Sequence, residues 1–128
     1  MTRHIIRTPL APSSPFFSQA IRTGSTIYLS GIIGINPETK ELAGLTIQEQ
    51  ALQALDNCEA ILRAADASIG DVVDVLVLLA RPGDFAGLNE AYAKKFPTDP
   101  PARAVARLGV ELPDVLVSIK MTAVVRSG

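Results

Sequence analysis

The residues that could do chemistry in this chain are few. Cys58 is the only cysteine and His4 the only histidine. A lone thiol builds neither a disulfide framework nor a thiolate metal cluster. A Ser-His-Asp or Cys-His site could draw only on His4, near one end of the chain. None of HExxH, CxxC or GxxxxGK[ST] occurs, so no metal site is expected. Arg103 stands out by its setting, since it follows the stiff Pro100-Pro101 pair and opens a β-rich run. A planar, permanently charged guanidinium suits a bidentate carboxylate clamp, and equally a surface or interface ion pair. Gly31 ends the apolar run Tyr28-Leu29-Ser30, where the backbone either approaches a ligand or forms a bulge. Lys120 sits in an alternating terminal run together with Ser118 and Thr122.

The bulk composition narrows the classes of function. The chain has 128 residues, 48% of them hydrophobic and 20% charged, with a net charge of -1. That describes one globular domain, 1–128, with enough apolar matter for a core. Lys+Arg is 12 against Asp+Glu 13 and aromatics are 5%, which speaks against a nucleic-acid partner. Residues 1–12 lack the seven-residue apolar run of a signal peptide, and nothing approaches a membrane span. A cytoplasmic protein is expected.

The elements that position these residues can be read from periodicity. Short β runs are expected over 3–7, 16–22 and 26–33, the last two forming a hairpin about Thr23-Gly24-Ser25. Thr46 and Glu49 have capping-box spacing. Behind them Ile47, Ala51, Leu52, Leu55, Cys58, Ile61, Leu62 and Ala65 form one apolar helical stripe. Residues 72–80 (VVDVLVLLA) predict a strand buried on both faces. A second helix is expected from an Asp84 N-cap to about Phe96, with Phe85, Leu88, Tyr92 and Phe96 near one face. Strands over 103–111 and 115–125 close the chain, and in the last Val115, Val117, Ile119, Met121 and Ala123 oppose Leu116, Ser118, Lys120, Thr122 and Val124. The fold class is α+β, a β-β-β-α-β-α-β-β sandwich of one sheet with two helices on one face. Two helices cover only one side, and the other side is half apolar. Burial of that side against further copies of the chain is expected.

Five strings, in order, resemble the RidA/YjgF (L-PSP, Rid) family. Pro15-Phe16-Phe17-Ser18-Gln19-Ala20 resembles its G-P-Y-S-Q-A, and residues 28–39 its S-G-Q…(D/N)-P-x-T segment. Residues 50–65 resemble its Q…N…L-x-A-A helix with Asn57 in register, Asn89-x-x-Tyr92-x-x-x-Phe96 its N-x-x-Y motif, and Pro101-Ala102-Arg103 its P-A-R. The resemblance implies a chorismate-mutase-like protomer, a homotrimer with sites at subunit interfaces, and cofactor-free hydrolysis of enamines and imines of amino acids. The products are 2-oxo acids and ammonia. It implies a small carboxylate substrate held by Arg103, with Phe17, Ser30, Gly31, Asn89, Tyr92 and Val105 lining the pocket.

The chain departs from the family at informative places. Archetypal deaminases carry E-I-E-A in the last strand, whose second Glu positions the attacking water; here Ser118-Ile119-Lys120-Met121 occupies that register. Phe17 stands for Tyr, Ile32 for the Gln of S-G-Q, and Val105 for Cys or Thr. The interval from Arg103 to Pro113 is one residue longer, so a bulge or longer turn is expected there. A lysine facing Arg103 would favour a dianion over a monocarboxylate, or act as base if its pKa fell. Two roles follow: an imine hydrolase with Arg103 and Lys120 as catalytic residues, or a binder of small carboxylates or dianions without efficient deaminase activity. A nuclease is disfavoured by the charge balance.

Overall fold

Thr46 starts the longest element. Its hydroxyl accepts from the Glu49 amide at 3.2 Å and donates to the Glu49 carboxylate at 2.8 Å. Helix α1 (Ile47–Ala64) then buries the predicted stripe, Leu52 being only half-buried. In the computed structural model, which describes residues 2–126, this helix packs on a single mixed sheet. Met1, Ser127 and Gly128, the ends of the expected domain, lie outside the described residues.

The strands are β1 (Arg3–Ile6), β2 (Ala20–Thr23), β3 (Thr26–Leu29), β4 (Ile32–Ile33), β5 (Val72–Leu79), β6 (Ala102–Arg107) and β7 (Val117–Val124). Their order is β1-β2-β3-β7-β5-β6, with β4 continuing beside β7. All pairings are antiparallel except β5 with β6, which are joined through helix α2 (Phe85–Lys95). A parallel crossover of this kind lays the helix back across the two strands, running against them. The start of α2 therefore lies over the end of β6, and its end over the start of β6.

Alternation divides the sheet. Ile27, Leu29, Ile32, Val75, Val77, Leu79, Val117, Ile119, Met121 and Ala123 point to the helices and are buried. They form one core with α1 and with Leu88, Ala91 and Tyr92 of α2. Among the described residues no helix covers the opposite face. It carries Ile5, Tyr28 and Val124, each more than 40% exposed, and the half-buried Ile21, Leu76 and Leu78.

Several expectations are corrected. The second strand begins at Ala20, not at Phe16, because residues 8–19 form a loop built around the buried Gln19 amide. Its Nε2 donates to the carbonyls of Thr8, Ala11 and Pro12, and its Oε1 accepts from the Thr8 amide. The run 26–33 is broken: Tyr28 pairs with Thr122 but Ile32 pairs with Ile119, so three residues oppose two. That is a bulge at Ser30-Gly31. Within the chain, β5 is buried on one face only, with Val73 and Asp74 exposed. β6 ends at Arg107, so the additional residue lengthens the loop before β7. Asp84 makes no side-chain cap; its carboxylate takes Arg81 Nε at 3.0 Å instead.

Candidate functional site

Arg103 lies on the edge strand β6, registered with Val75 and therefore on the helix side of the sheet. Its guanidinium carbon is 4.8 Å from the Tyr92 ring centroid and 5.7 Å from that of Phe85. Both distances are within cation–π range. Nη1 donates to Asn89 Oδ1 at 2.8 Å. Among the described residues no carboxylate forms an ion pair with Arg103. The group is thus oriented by two rings and an amide while its other N–H donors stay available. The intrachain ion-pair reading finds no partner.

Asn89 and Tyr92 come to Arg103 because they sit three apart on α2, on the side facing β6. Val105, two residues along β6, is half-buried on the same face. Tyr92 is 7% exposed, and its hydroxyl is buried with no hydrogen-bond partner. Burial pushes its pKa up; Arg103 opposes that rise and Asp74 adds to it.

The remaining candidates gather elsewhere. Lys120 is registered with Leu76 on the uncovered face, and its Nζ donates to the Leu29 carbonyl at 2.6 Å. That carbonyl belongs to the last residue before the bulge. Ser30 closes the same corner: its Oγ donates to the Ser18 carbonyl at 2.5 Å and its amide to the Gln19 carbonyl at 3.0 Å. Phe17, 45% exposed, is next to Ser18 in that loop. At Gly31 a methyl group would come within 2.8 Å of Ser118 Oγ, so glycine lets the bulge approach β7.

The predicted residues therefore fall into two groups. Arg103, Asn89, Tyr92 and Val105 stand on the helix side at the sheet edge. Phe17, Ser30, Gly31 and Lys120 surround the bulge, with Lys120 on the other face. β6 and β7 are two strands apart, about 10 Å, and their side chains at 103 and 120 point to opposite sides. One chain does not bring the groups together. Sequence reasoning gave no role to Gln19, which shapes the Phe17 loop, or to Phe85, which flanks Arg103. No local sequence pattern marks Gln19 as buried, and the sequence places Phe85 only near one face of the second helix with Leu88, Tyr92 and Phe96. Among the described residues no group of three or more His, Cys, Asp or Glu could hold a metal ion, and no helix is long and apolar enough to cross a membrane.

The family model described as Endoribonuclease L-PSP matches residues 8–125. The chain belongs to this family. A 2-iminobutanoate/2-iminopropanoate deaminase of Dermatophagoides farinae is 39% identical over 113 residues, covering 87% of each chain. The crystal structure of RidA from Psychrobacter sp. PAMC 21119 superposes with a TM-score of 0.89 at 36% identity, over 95% of this chain and 99% of that one. The structure of E. coli TdcF with bound serine gives 0.87 at 33% identity, over 97% and 99%. The mixed α+β architecture of one sheet and two helices is that of these L-PSP/RidA proteins.

Proposed function

We propose that this protein hydrolyses reactive imines and enamines of amino acids to 2-oxo acids and ammonia. In this reading the protein is a homotrimer in which one copy's Arg103 half-site meets another copy's Lys120 half-site. The observation that carries it is the Arg103 guanidinium, held against Tyr92, Phe85 and Asn89 and, among the described residues, paired with no carboxylate. It is set to take the substrate carboxylate through two parallel hydrogen bonds. Water then adds to the C=N carbon to give a carbinolamine. The nitrogen takes up a proton and the carbinolamine hydroxyl gives one up, the C–N bond breaks with its electron pair leaving on nitrogen, and ammonia departs as the carbonyl forms. Imine hydrolysis is intrinsically easy, so holding the acid beside water supplies much of what is needed. Support comes from the deaminase among the relatives and from the serine held by the structural neighbour. The half-apolar open face supports assembly, as does a chain surface of 7363 Å², against about 6,600 Å² for a compact monomer of this mass.

Lys120 favours a second reading. In the family register it replaces a carboxylate, and it brings a cation to the bulge. A site with Arg103 and Lys120 could retain a dianion without hydrolysing imines well. An endoribonuclease role has less support, because the charge is balanced and His4 is the only histidine.

The deciding assay generates 2-iminopropanoate with an amino-acid oxidase and traps it with semicarbazide. Wild type should speed imine loss. Arg103→Ala should reduce kcat/KM about a hundredfold, the worth of a charged clamp at about 3 kcal/mol. No acceleration by wild type ends the deaminase reading, and a fully active Arg103→Ala ends the clamp.

A further inference from the structure

Phe85 is unexplained by packing. It opens α2, is 47% exposed, and lies beside Arg103. Because α2 runs against β6, Phe85 stands over the far end of that strand. There a hollow of about 270 Å³ is lined by Leu79, Pro82, Phe85, Val105, Ala106 and Arg107. Arg103, Val105 and Arg107 alternate onto the same side of β6, registered with Val75, Val77 and Leu79. The guanidinium of Arg103 thus flanks one wall of an apolar hollow. Arg107 forms no ion pair among the described residues, and its aliphatic stem can itself cover apolar surface. A charged anchor beside a mostly apolar concavity is the arrangement that sorts amphipathic acids by their side chains.

We propose that this hollow receives the apolar side chain of a 2-imino or 2-oxo acid whose carboxylate lies on Arg103. The protein then prefers branched aliphatic or aromatic acids to pyruvate-sized ones. This inference rests on the clamp role proposed for Arg103. A methyl side chain leaves the hollow to water, whereas an isobutyl or benzyl group displaces that water and covers Phe85 and Val105. Each added methylene is worth a few-fold to more than tenfold in such pockets. A second carboxylate would instead leave the lining of Leu79, Pro82, Phe85 and Val105 unused.

The test is calorimetric titration of the intact, assembled protein with pyruvate, 4-methyl-2-oxopentanoate, phenylpyruvate and 2-oxoglutarate. The account expects 4-methyl-2-oxopentanoate and phenylpyruvate to bind at least about tenfold more tightly than pyruvate. That ratio should fall to within about threefold in Phe85→Ala, which empties the wall, and in Val105→Trp, which fills the hollow; either variant suffices if the other fails to fold. Equal affinities in wild type, tightest binding of 2-oxoglutarate, or a ratio untouched by both substitutions overturns the proposal. Arg103→Ala separates the two layers of the argument. If it abolishes pyruvate binding while the wild-type ratio is near one, the clamp stands and the hollow falls. If wild type binds none of the four acids, both fall.

Discussion

Tyr92 meets its neighbours with its ring and not with its hydroxyl. The ring carries Arg103 on its face and packs against Phe96, centroids 4.8 Å apart and planes tilted by 36°. The oxygen is buried and has no hydrogen-bond partner among the described residues. A buried polar atom without a partner is a cost, and removing it is neutral or favourable. Tyr92→Phe should therefore keep the ring's hold on Arg103, leave acid binding intact, and match or exceed wild-type stability by up to about 1 kcal/mol in denaturant unfolding. A loss above that size would mean that the oxygen has a partner. Lys120 is the converse case, in which the polar tip matters: its ammonium reaches the Leu29 carbonyl where the bulge interrupts the ladder. Cys58 packs in the core, where its Sγ donates to the Ile119 carbonyl at 3.8 Å. Its thiol is fully buried, and desolvation pushes its pKa up, which favours the neutral thiol over the thiolate.

At the scale of elements, three buried amides fix the loops to the framework. Gln19 gathers the 8–12 segment. Gln50 on α1 donates to the carbonyls of Gly44 and Asp114 and accepts from the Leu116 amide. Asn57 donates to the carbonyls of Ile33 and Ile35. The chain just after β4 lies so close to α1 that a methyl group on Gly34 would fall on the backbone of Gln50. Neither side can yield without moving the helix. Gly34→Ala should cost about 1–3 kcal/mol, read as a lower denaturant midpoint at unchanged slope. An unshifted midpoint would show that this contact is slack. These cases mark what the sequence makes legible. The α1 stripe and the β7 alternation are local patterns, and both are found as expected. The start of β2, the break at Ser30-Gly31 and the end of β6 depend on Gln19, on the pairing with β7, and on the loop that follows Arg107; these are long-range facts that an apolar run does not carry. For the same reason each site residue could be named singly, largely through the family resemblance, while their division between two faces follows from the order β3-β7-β5-β6 and was not visible.

For the whole molecule, one chain leaves the two groups of candidate site residues apart, on opposite faces of the sheet. Its uncovered sheet face, with Tyr28, Leu76, Leu78 and Val124 among Ser118, Lys120 and Thr122, is where further copies are proposed to pack. Light scattering should give about three times the 13.6 kDa chain mass, and a value near one chain would contradict the assembly. The most direct measurement is a crystal structure of the protein soaked with 2-oxobutanoate. Its carboxylate should pair with two N–H groups of Arg103, in a crevice closed by the Ser30-Gly31 bulge and Lys120 of another copy. Arg103 projecting into open solvent, with the acid bound elsewhere or not at all, would contradict the proposed clamp.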